Sequence, residues 1–135
     1  MATRSTEHTY AARLAWAGDT GLGYREYDRN HTVGPAGNAL GVSADPAFRG
    51  DPALLNPEQL LVMAASSCQL LSFLALAARR RVRVTAYEDD ASGFMPMRPE
   101  DGGPVRITQI VLRPRITVAA GMDPAVVEEL VHQGH

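Results

Sequence analysis

The sequence predicts an α+β domain: antiparallel strands around one dominant helix, in the order βββαββα. Three observations predict it. Apolar and polar residues alternate from Thr9 to Trp16, the pattern of a half-buried strand. Pro57 to Arg79 reads PEQLLVMAASSCQLLSFLALAAR with no glycine or proline after its first residue, which predicts one long helix. Turn residues then divide the rest of the chain into short segments on either side of that helix.

The first strand puts Tyr10, Ala12, Leu14 and Trp16 on one side and Thr9, Ala11, Arg13 and Ala15 on the other. Gly18 to Gly23 (GDTGLG) reads as a hairpin turn, and Tyr24 to Val33 as the returning strand, with poor alternation. Gly34-Pro35 and Gly37-Asn38 punctuate the chain before a short third strand over Asn38 to Ser43. Ala44 to Leu55 (ADPAFRGDPALL) is a loop set by Pro46, Gly50 and Pro52. Asn56 suits the N-cap, Pro57 the first helical position, and Gln59 completes an Asn-x-x-Gln capping box. The helix ends near Arg79 to Arg81, where cations favour the negative end of the helix dipole.

Val82 to Ala91 follows as a strand with Val82, Val84 and Ala86 on one face. Gly93 to Pro104 is a turn region. Val105 to Val118 reads as one long strand whose phase slips between Thr108 and Ile110, suggesting a bulge there. Pro114 suggests an exposed edge. Asp123-Pro124 opens a last helix with Val126, Val127, Leu130 and Val131 along one face.

At 135 residues the chain is expected to form a single domain over 1–135. A net charge of −2 supplies no field to attract nucleic acid or an anionic membrane. All 13 basic residues are arginine, so Schiff-base chemistry is excluded and every side-chain cation is a permanently charged fork suited to carboxylates. A lone cysteine cannot close an internal disulfide, which fits a reducing, cytoplasmic setting. The N-terminus, MATRSTEHTYAARLAW, has no apolar segment followed by a cleavage site, so no signal peptide is expected.

Leu60 to Ala78 carries no charge and precedes Arg79, Arg80, Arg81 and Arg83, a layout that also suits a membrane span. Ser66, Ser67, Gln69 and Ser72, the alanine content and the lack of aromatic anchors weigh against it. One sheet covers only one side of such a helix. The cheapest cover for the other is the same helix from a second copy, and Ala64, Ala65, Ser66 and Ser67 permit close approach. A homodimer is therefore expected. Glu58 and Cys68 lie ten residues apart, about 15 Å along the axis, and cannot touch within one helix. In an antiparallel pair crossing near Met63, Glu58 of one chain would stand beside Cys68 of its partner.

Cys68 has two readings. A buried thiol is ordinarily packing, because free cysteine behaves as a small hydrophobe. A reactive thiol needs a nearby cation to favour the thiolate. With no lysine, and no histidine near in sequence, that cation must be an arginine. Arg49 leads, from the loop before the helix; Arg25 and Arg29 on the second strand follow, and Glu58 could orient the arginine through a bidentate pair. Arg79 to Arg83 read as a helix cap and a solvated strand start rather than a phosphate site. His132 and His135 read as a terminus rather than a metal pair, and Glu88-Asp89-Asp90 as a solvated strand end. There is no Gly-rich phosphate loop, nucleophile elbow or zinc spacing.

Asn56-Pro57-Glu58-Gln59-Leu60-Leu61, followed by Ala64-Ala65-Ser66-Ser67-Cys68, resembles the OsmC/Ohr family of osmotically inducible and organic hydroperoxide resistance proteins. Its most specific mark is the NPE(E/Q)L opening with a cysteine ten residues after the glutamate. Trp16-x-Gly18, Tyr24-Arg25-x-Tyr27-x-Arg29-x-His31, Asp45-Pro46-Ala47-Phe48-Arg49-Gly50-Asp51-Pro52 and Tyr87-Glu88-Asp89-x-Ala91-x-Gly93 are similar to an OsmC-like subgroup. The resemblance implies an OsmC-like fold: an intertwined homodimer with two long central helices wrapped by antiparallel sheets from both chains. It implies that Cys68 is the peroxidatic nucleophile, that Glu58 orients an arginine, and that this arginine lowers the thiol pKa. Members differ in the source of that arginine, so Arg49 and Arg25 both stay in play.

The family's resolving cysteine normally sits on the last long helix, with a closing strand after it. This sequence stops partway through that helix, so the C-terminal part of the family fold is expected to be missing. An outside thiol or dithiol would then have to reduce the sulfenic acid. The resulting expectation is a cytoplasmic hydroperoxide reductase that needs no metal or cofactor and takes organic hydroperoxides in an apolar pocket lined by Leu60, Leu61, Leu71 and Phe73. The rival reading is a non-catalytic dimer that binds a small apolar ligand at the same interface.

Overall fold

The computed structural model describes residues 7–35 and 38–134. Its backbone contacts gather into two compact units, residues 1–57 and 58–135. Gly37 and His135, and the first six residues of the N-terminus, lie outside the described residues.

In the first unit, β1 (Arg13–Ala15), β2 (His31–Gly34) and β3 (Leu40–Val42) form an antiparallel sheet in the order β1-β2-β3. Leu14 faces Val33, and Thr32 faces Gly41. All three strands are shorter than the alternation suggests. The first is not half-buried either: Leu14 is 61% exposed, and Trp16 is also exposed. The returning strand starts at His31 rather than Tyr24. Asp19 caps a 3-10 turn over Thr20–Leu22, and Arg29 then holds the following segment in a coil. The Arg29 guanidinium stacks 3.8 Å from the Tyr27 ring centroid and 4.7 Å from that of Tyr24. It also donates to both of their carbonyls, at 2.9 and 2.6 Å. A backbone gathered around one cation in this way cannot pair as a strand. The Trp16 indole N–H donates 2.8 Å to the Asp28 carbonyl, closing the base of the loop. A Cβ on Gly18 would lie 2.6 Å from the Trp16 ring, which explains glycine there.

The second unit is built on α1 (Pro57–Arg79). It continues with β4 (Val84–Asp89), β5 (Ser92–Phe94), β6 (Gln109–Val111), β7 (Pro114–Val118) and α2 (Pro124–Gln133). β4 pairs antiparallel with β7, and β5 with β6. α1 stops without a glycine. Val82 N–H donates to the Ala77 carbonyl (2.9 Å) and Arg81 N–H to that of Ala78 (3.1 Å), the two bonds of a Schellman cap. Arg81 adopts the left-handed conformation that cap requires, with φ 56°. Asp123 caps α2, accepting from Ala125 N–H at 3.0 Å.

The expected long strand over Val105 to Val118 is two strands with different partners. Arg113, in the break, donates its N–H to the Asp89 carboxylate at 2.6 Å instead of to a ladder. Pro114 then opens β7, a place where its missing N–H costs nothing to the sheet. The bulge lies in β4, between Val84 and Ala86, and not between Thr108 and Ile110. It reverses the phase of that strand, so Tyr87 turns inward while Ala86 is exposed, opposite to the expected face. Gly93, expected in a turn, is in β5, where a Cβ would stand 2.5 Å from Val62 of α1.

The core of this unit is Phe73 and Ala77 of α1 against Leu130 of α2, all essentially inaccessible. Val84, Tyr87 and Ile116 pack on it from the β4–β7 pair, and Val126, Val127 and Val131 from α2. The valine-leucine face predicted for the last helix is thus the face it buries. Gln69 continues the buried stripe of α1 and donates 2.8 Å to the Val131 carbonyl, so its burial leaves that amide satisfied.

Candidate functional site

Cys68 is an exposed free thiol, not a packed one. The reason is helical geometry. Gln69, Phe73 and Ala77 repeat every four residues and make the buried stripe, and Cys68 lies about 140° around the helix from Phe73. Its side of α1 is apolar and open: Leu61 is 51% exposed, Met63 52% and Leu71 63%, with the exposed Leu74 beside them. The expected pocket of Leu60, Leu61, Leu71 and Phe73 does not form as one lining. Phe73 belongs to the core, while Leu61 and Leu71 face outward.

Glu58 stands in the first turn of the same helix, partly buried, about 15 Å from Cys68 along the axis. A carboxylate there suits the positive end of the helix dipole. Glu58 and Cys68 do not meet within one chain. The candidate arginines belong to the first unit and Cys68 to the second, and each is described within its own unit.

Arg49 is held by an unusually determined loop. Asp45 accepts from Ala47 N–H at 2.8 Å and caps a 3-10 turn over Pro46–Phe48. Arg49 closes that turn in the left-handed region, φ 68° and ψ 23°, with its N–H on the Pro46 carbonyl at 3.1 Å. A non-glycine residue there costs on the order of 1 kcal/mol or more, and such strain persists only where the surroundings over-determine it. They do so here. A Cβ on Gly50 would lie 1.6 Å from the Ala44 carbonyl oxygen, so only glycine fits. Asp51 N–H donates to the fully buried Ser43 hydroxyl at 3.0 Å, and Ser43 N–H to the Leu55 carbonyl at 2.8 Å. Leu55 also bridges in parallel to Val42. The loop from Ala44 to Leu55 is therefore folded back on β3 and presents an exposed Arg49 at a fixed place.

The other two arginines separate. Arg29 is committed to its stack on Tyr24 and Tyr27, which makes it a structural cation. Arg25 is exposed in the same coil. The glutamate-aspartate cluster after Tyr87 is more than a solvated strand end. Glu88 and Asp90 pair with Arg115 at 3.0 and 2.8 Å, and Asp89 accepts the Ser66 hydroxyl of α1 at 2.6 Å. Residue-by-residue reading missed the joint placement of Tyr87, Asp89 and Ser66. The signal available was a carboxylate two residues after a tyrosine, which places both on one strand face. Among the described residues no group of three or more His, Cys, Asp or Glu side chains is gathered to hold a metal. By length and composition α1 could cross a membrane.

The chain is similar to a solved OsmC-like protein of unknown function from Vibrio cholerae, at 28% identity and a TM-score of 0.83, covering 96% of this chain and 88% of that one. It is also similar to an organic hydroperoxide resistance protein OsmC from Legionella pneumophila, at 17% identity and a TM-score of 0.67, over 95% and 84% of the two chains. OhrB, the organic hydroperoxide resistance protein of Bacillus subtilis, matches at 17% identity and a TM-score of 0.60, over 93% and 83%. These two identities speak for the fold alone. No curated protein matches the chain in sequence. The family model described as OsmC-like protein matches residues 50–135, a stretch that holds Glu58, Cys68 and the whole of the second unit. On that match, and on the α+β architecture it accompanies, the chain belongs to the OsmC-like protein family.

Proposed function

We propose that this chain is a cytoplasmic, thiol-dependent peroxidase that reduces organic hydroperoxides to alcohols through a sulfenic acid on Cys68. The observation that carries the reading is an exposed thiol at the middle of an open apolar helix face, in a chain of the OsmC-like family. An apolar face beside the sulfur favours an alkyl hydroperoxide over hydrogen peroxide, because the alkyl group gains about 0.8 kcal/mol for each methylene removed from water.

The Cys68 thiolate attacks the terminal oxygen of the hydroperoxide. A sulfur–oxygen bond forms, the oxygen–oxygen bond breaks, and the alkoxide leaves and takes up a proton as the alcohol. Sulfur is oxidised and the hydroperoxide reduced by the same electron pair. An external thiol then attacks the sulfenic sulfur, releasing water and leaving a mixed disulfide, which a further thiol reduces back to Cys68.

The site is completed by a second copy of the chain. The open face of α1 packs on its counterpart in an antiparallel pair, which brings Glu58 of one protomer to Cys68 of the other. Arg49 supplies the cation, with Glu58 orienting it; its strained, over-determined backbone supports it over Arg25, since such strain concentrates at functional positions. Peroxide consumption tests the reading. Cys68→Ser is expected to reduce it to the uncatalysed rate. Arg49→Ala is expected to reduce it by up to about 30-fold at pH 7, the ratio between a fully ionised thiol and an ordinary one. A larger loss in Arg25→Ala than in Arg49→Ala would move the cation to Arg25. Undiminished consumption by Cys68→Ser would leave the non-catalytic binder of apolar ligands as the better reading.

A further inference from the structure

The loop that carries Arg49 stores strain, and the residues that keep it from relaxing lie on either side of it. Arg49 sits in the left-handed region, where a side chain crowds the following carbonyl. A loop free to relax would return it to negative φ. That rotation re-aims the Cα–Cβ bond, and the length of an arginine side chain turns it into a large displacement of the guanidinium. The position of the cation is therefore only as fixed as the bonds that hold this one backbone conformation.

One of those bonds is made by a side chain that water cannot reach. Asp51 N–H donates 3.0 Å to the Ser43 hydroxyl, and Ser43 is fully buried just after β3. Ser43 N–H in turn donates 2.8 Å to the Leu55 carbonyl. A single residue thus fastens both the middle of the loop and its far end to the sheet. The Asp51 carboxylate adds to the brace, accepting from Ala53 N–H at 2.9 Å and from the Asn30 amide at 3.5 Å. Packing alone does not call for a hydroxyl at position 43, since its neighbour Val42 is just as buried and apolar. Buried polar groups are retained where they satisfy another, and the group satisfied here is a backbone N–H two residues beyond the strained arginine.

We propose that Ser43 is a positioning residue for peroxide reduction: its hydroxyl holds Arg49 in the strained conformation that presents the guanidinium. This rests on the peroxidase reading with Arg49 as its cation. Being inaccessible, Ser43 meets neither hydroperoxide nor sulfur, and it acts on the thiolate only through Arg49. Asp51 supports the same conformation from the other end of the bond.

The test is a double-mutant cycle in the full-length protein between Ser43→Ala and Arg49→Ala. It is read by consumption of an alkyl hydroperoxide and by the pH profile of Cys68 alkylation. Ser43→Ala is expected to lower kcat/KM about fivefold at pH 7, the factor that one lost hydrogen bond supplies. It should also move the rise in alkylation to higher pH, in the direction of Arg49→Ala and by less. The loss should shrink at about pH 9.5, where a thiol ionises unaided. In the Arg49→Ala background Ser43→Ala should change neither readout, because the group it positions is gone; a general loosening of the fold would slow both backgrounds alike. Asp51→Ala is expected to lower kcat/KM about twofold, with Asp51→Asn restoring it, a readout that remains if Ser43→Ala folds poorly. A parent profile in both Ser43→Ala and Asp51→Ala, or equal slowing by Ser43→Ala with and without Arg49, would overturn the proposal and leave the peroxidase reading standing. A parent rate and profile in Arg49→Ala would instead remove the cation from the peroxidase reading, and the positioning role with it.

Discussion

The two faces of α1 are made of the same kinds of residue and meet opposite fates. One face sets Phe73 at 0% exposure against Leu130, Tyr87 and the valines of α2. The other leaves Leu71 at 63% exposure beside Cys68, with Leu61, Met63 and Leu74 around it. Composition does not separate them, since leucine and alanine occupy both. Position relative to β4 and α2 does. The difference teaches that an apolar helix side is only potential energy until something covers it, and the covering partner decides whether a thiol on that side is inert or reactive.

Substitutions on each face should break this contrast in different ways. The largest effect belongs to the packed face: Phe73→Ala should cost about 3–5 kcal/mol in chemical denaturation, because a large side chain is lost where nothing can collapse around it. On the open face Leu71→Arg should leave the fold of the chain intact. If a second copy covers that face, the same change should raise the dimer dissociation constant at least about 100-fold in sedimentation experiments, equivalent to about 2.7 kcal/mol. An unchanged sedimentation profile would leave the open face without its partner.

A smaller effect is expected where helix and strand are tied. Ser66→Ala removes the hydrogen bond to the Asp89 carboxylate and should cost about 1.5–3 kcal/mol, read in the same denaturation experiment. The smallest concerns pH. Tyr87 has its phenol pKa raised by burial and by Asp89, so the folded state holds this proton more tightly than the unfolded chain does. Stability from this group is complete below the ordinary tyrosine value near 10 and declines as pH rises through it toward the higher folded value. Tyr87→Phe should flatten that alkaline decline and, by removing an unpartnered buried hydroxyl, leave stability at neutral pH unchanged or slightly higher.

The elements that were legible in the sequence are those governed by local signals. Pro57–Arg79 has an N-terminal capping signal in its sequence and no breakers, Pro124–Gln133 has a cap and an apolar periodicity, and both helices fall where those signals place them. The strands were less legible because their limits are set by distant groups. Arg29 unmakes a strand by gathering Tyr24 and Tyr27, Asp89 splits another by capturing Arg113 N–H, and a bulge at Thr85 reverses the face of Tyr87. The site was half legible. The spacing of Glu58 and Cys68 shows that they cannot meet in one chain, but the rigid presentation of Arg49 depends on a left-handed residue that no local pattern announces. The joint placement of Tyr87, Asp89 and Ser66 was legible only in part: the spacing puts the tyrosine and the carboxylate on one strand face, but the bulge decides that this face turns toward α1.

Intact-mass analysis after one equivalent of an alkyl hydroperoxide, with a sulfenic-acid trap present, tests the central claim most directly. The account predicts a single trapped adduct, located on Cys68 by peptide mapping and absent from Cys68→Ser. An unmodified chain after complete exposure to the hydroperoxide would contradict it.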